Sequence, residues 1–416
     1  MVRTAPPQQR TDGPPGVDGR LIVLAVAVVY GAAVATAQLA SDVDLWRYLG
    51  VKSAPTLFFD ARNVAAAADC WSQGYDPLVE NPCDPWHRVM VYPRVWVLLH
   101  HVGLTQDRTL LFGSILVGAF LASLLVLVGR LNLRDGAIVS AAVISPAVML
   151  SVERGNVDLV LFAILVAAVY AWEARARITP IVAPALILMA GVAKFYAIFA
   201  LPALALTKDR RWRWLVVLTA AAMGVYLVLI LDDLRQVLTA PEGGLLYSYG
   251  ARILIGDLYH RFVPERWGLG SLLAQAIAVT PLVVLTVALW LRTRRRFGIP
   301  AIPEVVHRPT LAFHFGALIY LGTFALRKNG DYRLVFVLLT LPMLLAWIDH
   351  PDRDRRTLGR VSLVIVVVGL WVGALSPFIG PWDELGSWAM AGAFITLLAA
   401  TVPSLRELLP APTGAR

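Results

Sequence analysis

GAIVSAAVISPAVMLSVERGNVDLVLFAILVAAVYAW, residues 136–172, decides the class of fold. Two apolar runs of about fifteen residues, 136–150 and 157–172, flank a polar turn that gathers Glu153, Arg154, Asn156 and, at its far edge, Asp158. Charges at that depth are costly and are retained where they are functional or paired. Working outward, the same texture fills the chain: 58% of its 416 residues are hydrophobic and 16% charged, with a mean hydropathy of +0.67. Soluble domains run near 25% charged, so a soluble enzyme is excluded. Disordered, collagen-like and disulfide-scaffold classes fall with it.

A hydrocarbon span needs roughly 20 apolar residues. Such stretches recur at 21–40, 109–129, 136–150, 157–172, 179–193, 197–206, 214–231, 271–291, 309–326, 333–348, 361–376 and 388–403. The expectation is an all-α polytopic membrane protein of about 12 segments, some short or broken, with a long first extracytoplasmic loop. A cytoplasmic N-terminus puts every strong basic cluster on the inside: Arg3/Arg10/Arg20, Arg130/Arg134, Arg175/Arg177, Lys208 to Arg213, Arg292 to Arg296 with Arg308, Arg353 to Arg360, and Arg406/Arg416. The net charge of +9 then orients the chain, and no nucleic-acid partner follows. This topology needs Thr179–Leu206 to cross twice, as a hairpin or broken helix with Lys194 near its outer turn. Trp172, Trp212, Trp214, Trp290, Trp347 and Trp388 fall at span ends, where interfacial indoles belong.

Residues 1–20 read as a disordered cytoplasmic tail, 21–404 as one transmembrane domain with outer loops 41–108 and 232–270, and 405–416 as a second cytoplasmic tail. The first span lacks an A-x-A cleavage site and reads as a retained helix. Repeats of 20–50 residues are not evident. The protein is expected to be multi-pass in the plasma membrane.

Polar chemistry gathers on the outer face. Cys70 and Cys83 bracket CWSQGYDPLVENPC, and an oxidising compartment favours joining them. Asp60, in TLFFDARNVAAAADCW, lies on a segment read as an amphipathic helix on the membrane surface; its carboxylate is placed either to act as a general base or to cap a helix beginning at Ala61. Asp42 and Asp44 form a D-x-D at the end of the first span, open to a metal, a sugar or plain solvation. Lysine is rare, four residues against 33 Arg. Two of the four, Lys194 in AGVAKFYA and Lys328 in LRKNGDYR, occupy short outer turns. A point cation on a mobile stem suits a phosphate, and snorkelling is the alternative for Lys194. Arg327 and Arg333 flank Lys328, and Tyr92, Pro93 and Arg94 close the first loop. The seven histidines show no H-E-x-x-H spacing, and neither a P-loop, a G-x-G-x-x-G nor a G-x-S-x-G is present.

An Asp in a long first outer loop, a Y-P-R near its end, an E-R-G-N turn, a short A-K-F-Y hairpin followed by Pro202, and a late D-Y-R together resemble the polyprenyl-phosphate-dependent glycosyltransferases of the C-type membrane fold. The likeness is in particular to glycosyltransferase family 87, which includes actinobacterial mannosyl- and arabinofuranosyltransferases. It covers roughly residues 20–350, and the G-Y-D-P-L-V-E-N-P-C-D-P stretch sets the chain apart as its own branch. The resemblance implies inverting transfer of a sugar, mannose or arabinofuranose, from a polyprenyl-phosphate donor to a lipid or glycan acceptor on the extracytoplasmic face. By the same resemblance Asp60 is the base. Lys194, Arg154, Lys328, Arg333 and Arg94 are assigned to the donor phosphate, and Glu153, Asn156, Asp331, Tyr92 and Tyr196 to the sugar or acceptor. No metal and no cofactor beyond the lipid-linked donor are expected. A transporter or lipid-sugar flippase, a surface-glycan ligase or polymerase, and a non-catalytic scaffold remain as alternatives.

Overall fold

The computed structural model describes residues 18–40, 45–174, 179–206, 210–239, 247–254, 271–300, 306–326 and 328–403. Most of both tails, Asp42, Asp44, Arg175, Arg177, Lys208, Arg327 and much of the second hydrophilic segment lie outside the described residues. Among the described residues the only sheet is a two-residue antiparallel pairing of Ser248–Tyr249 with Asn329–Gly330. The other regular elements are helices, joined by turns and extended chain such as residues 73–93, and the twelve apolar stretches fall largely on helical backbone.

Helix length supports part of the expected set of about 12 segments. Five helices among the described residues are long and apolar enough to cross a bilayer: Gln106–Val128, Trp212–Leu229, Arg308–Leu326, Arg353–Ile379 and Glu384–Thr401. A sixth crossing is reached if Leu133–Val143 and Pro146–Arg154, bent by 58° at Ile144–Ser145, count as one broken span. Of the other apolar stretches, two lie on long helices, Gly19–Ala40 of 22 residues and Ser271–Phe297 of 27, and the rest on shorter ones such as Thr179–Ala193 and Phe195–Ala205. Trp212–Leu229 is only 6% buried across its apolar window, against 61% for Arg308–Leu326. A helix that turns Val225, Val228 and Leu229 outward requires a lipid solvent.

The central Arg308–Leu326 helix organises the core. It packs against two 3-10 segments, Phe195–Ala205 and Asp331–Thr340. At Gly322 a Cβ would stand 2.4 Å from the Phe199 ring, so the absence of a side chain there sets the spacing. Helices Asp158–Glu173 and Thr179–Ala193 pack side by side, and Thr179–Ala193 turns back at Lys194 to pack on Phe195–Ala205. The expected hairpin with Lys194 at its turn is thus the observed local fold.

The first hydrophilic segment forms a second packed layer. Helix Phe59–Ser72 is not a surface-lying amphipathic helix: Ala61 and Val64 to Ala68 are fully buried. Its small side chains let the backbone close on the 3-10 helix Arg94–Val102 and on Val157. Cys70 and Cys83 are joined in a disulfide, a closure of about thirteen residues that removes chain entropy from the unfolded state, about 3 kcal/mol in the loop-closure picture.

Three 3-10 helices of nine to eleven residues, Arg94–Val102, Phe195–Ala205 and Asp331–Thr340, stand out, since such runs rarely exceed four. Each begins at or beside residues picked out in the sequence.

Candidate functional site

The E-R-G-N turn is the hinge of the site. Helix Pro146–Arg154 ends on Gly155, which takes the left-handed conformation at φ 54°. A Cβ there would sit 2.9 Å from the Phe58 ring and 3.1 Å from the Ala61 methyl. Glycine therefore serves both the turn and the close descent of helix Phe59–Ser72 onto it. Phe58 is itself left-handed, at φ 60°, and its N–H donates to the Glu153 carbonyl at 2.8 Å. A non-glycine residue held in this region is strained and is found where surrounding structure over-determines it. The strain fixes where Phe59 and Asp60 emerge. Asp60 lies in the first helical turn rather than at the cap, because the helix begins at Phe59 and its capping position is Phe58.

Asn156, fully buried, uses its whole hydrogen-bonding capacity. Its Nδ2 donates to Asp60 Oδ2 at 2.6 Å and, in a longer contact, to the Tyr92 hydroxyl at 3.4 Å. Its Oδ1 accepts from Lys194 Nζ at 2.9 Å and from the Asp158 N–H at 3.0 Å. Two donors and two acceptors exhaust a primary amide, and the partners fix which end is oxygen. Arg154 Nη1 stands 3.6 Å from Asp60 Oδ1. The side chains of Asp60 and Arg154 keep 15% and 21% of their surface open, so base and cation are both reachable.

Lys194 continues the chain of contacts. Its Nζ donates to Asp158 Oδ1 at 2.6 Å, and the same oxygen accepts from the Tyr196 hydroxyl. The rings of Tyr92, Tyr332 and Tyr196 surround the ammonium at 5.1, 5.3 and 5.6 Å, within cation–π range. Arg333 closes the series over the Tyr196 ring at 4.6 Å and bonds Asn329 Oδ1. A continuous series thus runs Asp60, Asn156, Lys194, Asp158, Tyr196, Arg333, drawing on four separate stretches of chain. Three cations, Arg154, Lys194 and Arg333, meet three carboxylates, Asp60, Asp158 and Glu153, whose Oε2 stands 3.5 Å from Arg154 Nε; the charges balance, and Arg154, 21% open, is a cation that a ligand can reach. Burial pushes the Tyr92 phenol well above its usual range, with the Asp60 carboxylate adding to the effect, so it stays a neutral partner.

The structure therefore assembles Asp60, Tyr92, Arg154, Asn156, Lys194, Tyr196 and Arg333 from the sequence-derived set. It occupies four others differently. Arg94 is taken up by two carboxylates: Nη1 and Nη2 donate to Asp76 at 2.9 and 2.8 Å and Nε to Asp233 at 2.7 Å, tying the first hydrophilic segment to helix Leu231–Thr239. Glu153 Oε1 accepts the Ala54 N–H at 2.7 Å, which anchors the approach to Phe58, and its Oε2 pairs with Arg154 Nε at 3.5 Å. The Asp331 carboxylate faces the backbone turn at Gly373, where an added Cβ would lie 2.8 Å from it. Lys328 sits in the turn leading into Asn329–Gly330. Two of the three N–H groups of Lys194 are committed to protein partners, which makes it a positioning residue as much as a ligand.

Two contributors lay hidden in the sequence. Asp158 was visible in the turn but had no role; the question of what neutralises Lys194 would have found it. Arg88 is the second. Its guanidinium bonds both Asp84 oxygens and the Phe59 carbonyl, and it lies 3.5 Å over the Phe59 ring. Burial raises the Asp84 carboxyl, and the bonds from Arg88, from the Trp86 N–H and from Asn63 outweigh it, leaving the group below its ordinary value.

No protein-family model matches the chain, and no curated protein does either. Among solved structures, ArnT from Cupriavidus metallidurans in the apo state aligns at 15% identity and a TM-score of 0.35, covering 92% of this chain and 77% of that one. At that TM-score the likeness carries no weight for fold or chemistry, which rest on the residues described above.

Proposed function

We propose that the protein is a membrane glycosyltransferase that moves a sugar from a polyprenyl-phosphate donor to an acceptor hydroxyl on the extracytoplasmic face. The observation that carries this reading is the Asp60 carboxylate, oriented by Asn156 at 2.6 Å and left partly open beside Arg154. A base must be held within hydrogen-bond reach of the proton it takes, and a departing phosphate needs cations aimed at it. In this mechanism the acceptor hydroxyl gives its proton to Asp60 while its oxygen bonds to C1 of the donor sugar. The C1–O bond to phosphate breaks on the opposite side, polyprenyl phosphate leaves with the electron pair, and configuration inverts. Arg154 and Arg333 receive the phosphate; Lys194 and Asp158 hold Asn156, and through it Asp60, in place. The donor's lipid tail stays in the bilayer, in keeping with a site beside short apolar helices. Mannose and arabinofuranose are the sugars proposed first, on the family resemblance alone.

The test is transfer of radiolabelled sugar from a panel of polyprenyl-phosphate sugars by purified protein in detergent, beside Asp60→Asn. Loss of turnover in a folded Asp60→Asn protein supports the base, because the change removes basicity at nearly constant size. Near-normal turnover in that variant refutes the assignment. Absence of transfer from every donor moves the reading toward flipping of the lipid-linked sugar.

A further inference from the structure

Next to Asp60 stands a wall that the reaction scheme leaves unused. Phe59 and Trp86 meet edge to face, with ring centroids 4.9 Å apart and planes at 63°. The Arg88 guanidinium lies 3.5 Å over Phe59 and 5.3 Å over Trp86. Arg154, the cation beside Asp60, approaches the same Phe59 ring at 5.6 Å. Arg88 cannot itself serve a ligand well, since Asp84 and the Phe59 carbonyl already take its Nε and Nη2. Its role is to lock two rings.

Two backbone features show that this wall is held in place. Phe58, before Phe59, and His87, after Trp86, are both left-handed non-glycine residues, at φ 60° and 51°. Only one other described non-glycine residue, Tyr247, shares that conformation. Strained residues of this kind cluster at ligand clamps and active sites. Yet the rigidly held indole is not buried: 38% of Trp86 remains exposed.

We propose that Phe59 and Trp86 form a stacking platform for a sugar ring of the acceptor, making the acceptor a glycan or glycolipid whose hydroxyl is presented to Asp60. The proposal rests on the glycosyltransferase reading and names the acceptor class for it. A pyranose or furanose has C–H faces that lie on an aromatic ring and hydroxyls around its rim; an exposed indole packed on Phe59, whose ring Arg154 approaches from the Asp60 side, answers both. Interfacial lipid anchoring fits less well, because the indole is clamped over a cation and its chain neighbours are Asp84, Pro85, His87 and Arg88. Trp71, also on this segment and 37% exposed, lies over Arg94 rather than beside Asp60 and provides the control.

The experiment reads binding without turnover. Purified protein in nanodiscs is titrated with methyl α-mannopyranoside, methyl α-arabinofuranoside and α-1,6-mannobiose, followed by saturation-transfer NMR. At least one saccharide binds, Trp86→Ala weakens it about tenfold, the gain expected of one well-placed aromatic contact, and Trp86→Phe restores most of it. Trp71→Phe binds as the parent does. Loss in Trp86→Ala with retention in Trp71→Phe supports the platform even if no sugar transfer is ever detected, so the two readings fail separately. Wild-type protein that binds none of the three, or Trp86→Ala that binds normally while Trp86→Phe remains folded, overturns it. So does a drop in fluorescence quenching by brominated lipids in Trp86→Phe, which assigns the indole to the bilayer.

Discussion

Removing Lys194 is the sharpest perturbation of the buried network. Its ammonium lies 2.6 Å from Asp158 Oδ1, and Asp158 has no exposed surface. At an effective dielectric of about 20 the attraction across that distance is about 6 kcal/mol. Desolvation offsets much of it, and removing one member of such a pair costs about 3–5 kcal/mol because the other charge is left uncompensated. Lys194→Met is therefore expected to lose about that much unfolding free energy, and Asp158→Asn to lose less, since Asn156 and three tyrosines still face the ammonium. Combining the two removes both charges, so the double variant loses less than the sum by about 2–3 kcal/mol, the upper range for residues in contact. The assay is unfolding in bicelles by SDS titration, with Lys52→Met, an exposed lysine, as reference. Sugar transfer by the double variant stays depressed, about 100-fold, because Asn156 has lost the ammonium that holds its oxygen and Asp60 drifts. Additive costs, or a Lys194→Met protein no weaker than Lys52→Met, would refute the pair as a structural tie.

Three further outcomes follow. Gly155→Ala places a methyl 2.9 Å from the Phe58 ring at a positive φ; it should cost about 1–2 kcal/mol from backbone conformation alone and depress kcat more than donor KM, read by steady-state transfer. Asp84 has a lowered carboxyl pKa in the folded state, so its pairing with Arg88 contributes stability above the unfolded value near 3.9. That contribution is lost as pH falls from there through the lowered value, and limited proteolysis should find the segment around residues 76–90 resistant at pH 5 and cleaved only well below pH 4. Cys70 and Cys83 should be blocked to maleimide until reduced, and free thiols in the native protein would contradict the bridge.

The sequence exposed part of this site because charge in an apolar chain is conspicuous. Asp60, Arg154, Asn156, Lys194 and Arg333 stood out as polar residues at the edges of hydrophobic runs, and they converge. Pairings across long separations were not readable: Arg94 reaches Asp233, 139 residues away, and no local pattern announces that a cation near one loop is neutralised by another. Glu153 was legible as a partner for Arg154, and its Oε2 does stand 3.5 Å from Arg154 Nε; that its other oxygen accepts the backbone N–H of Ala54, 99 residues away, was not. The helical character of the twelve apolar stretches was legible. So were many of their bounds, as in Thr109–Val128, Thr179–Ala193 and Arg308–Leu326; hydropathy did not distinguish an α-helix from a 3-10 helix or reveal the bend at Ile144–Ser145. The alanine run of 65–68 read as a membrane-surface face, since alanine is weakly apolar everywhere; only packing shows that it allows close backbone approach.

Asn156 has a consequence for what this position tolerates. Its side chain satisfies a carboxylate, a phenol, an ammonium and a helix N–H together. Aspartate has the shape without the donors, serine lacks the reach, and glutamine has the groups on a stem one methylene too long for a fully enclosed site. In a library carrying all twenty residues at 156, selection for an active protein would return a single letter, and the codon there would be frozen by geometry rather than by contact with any substrate.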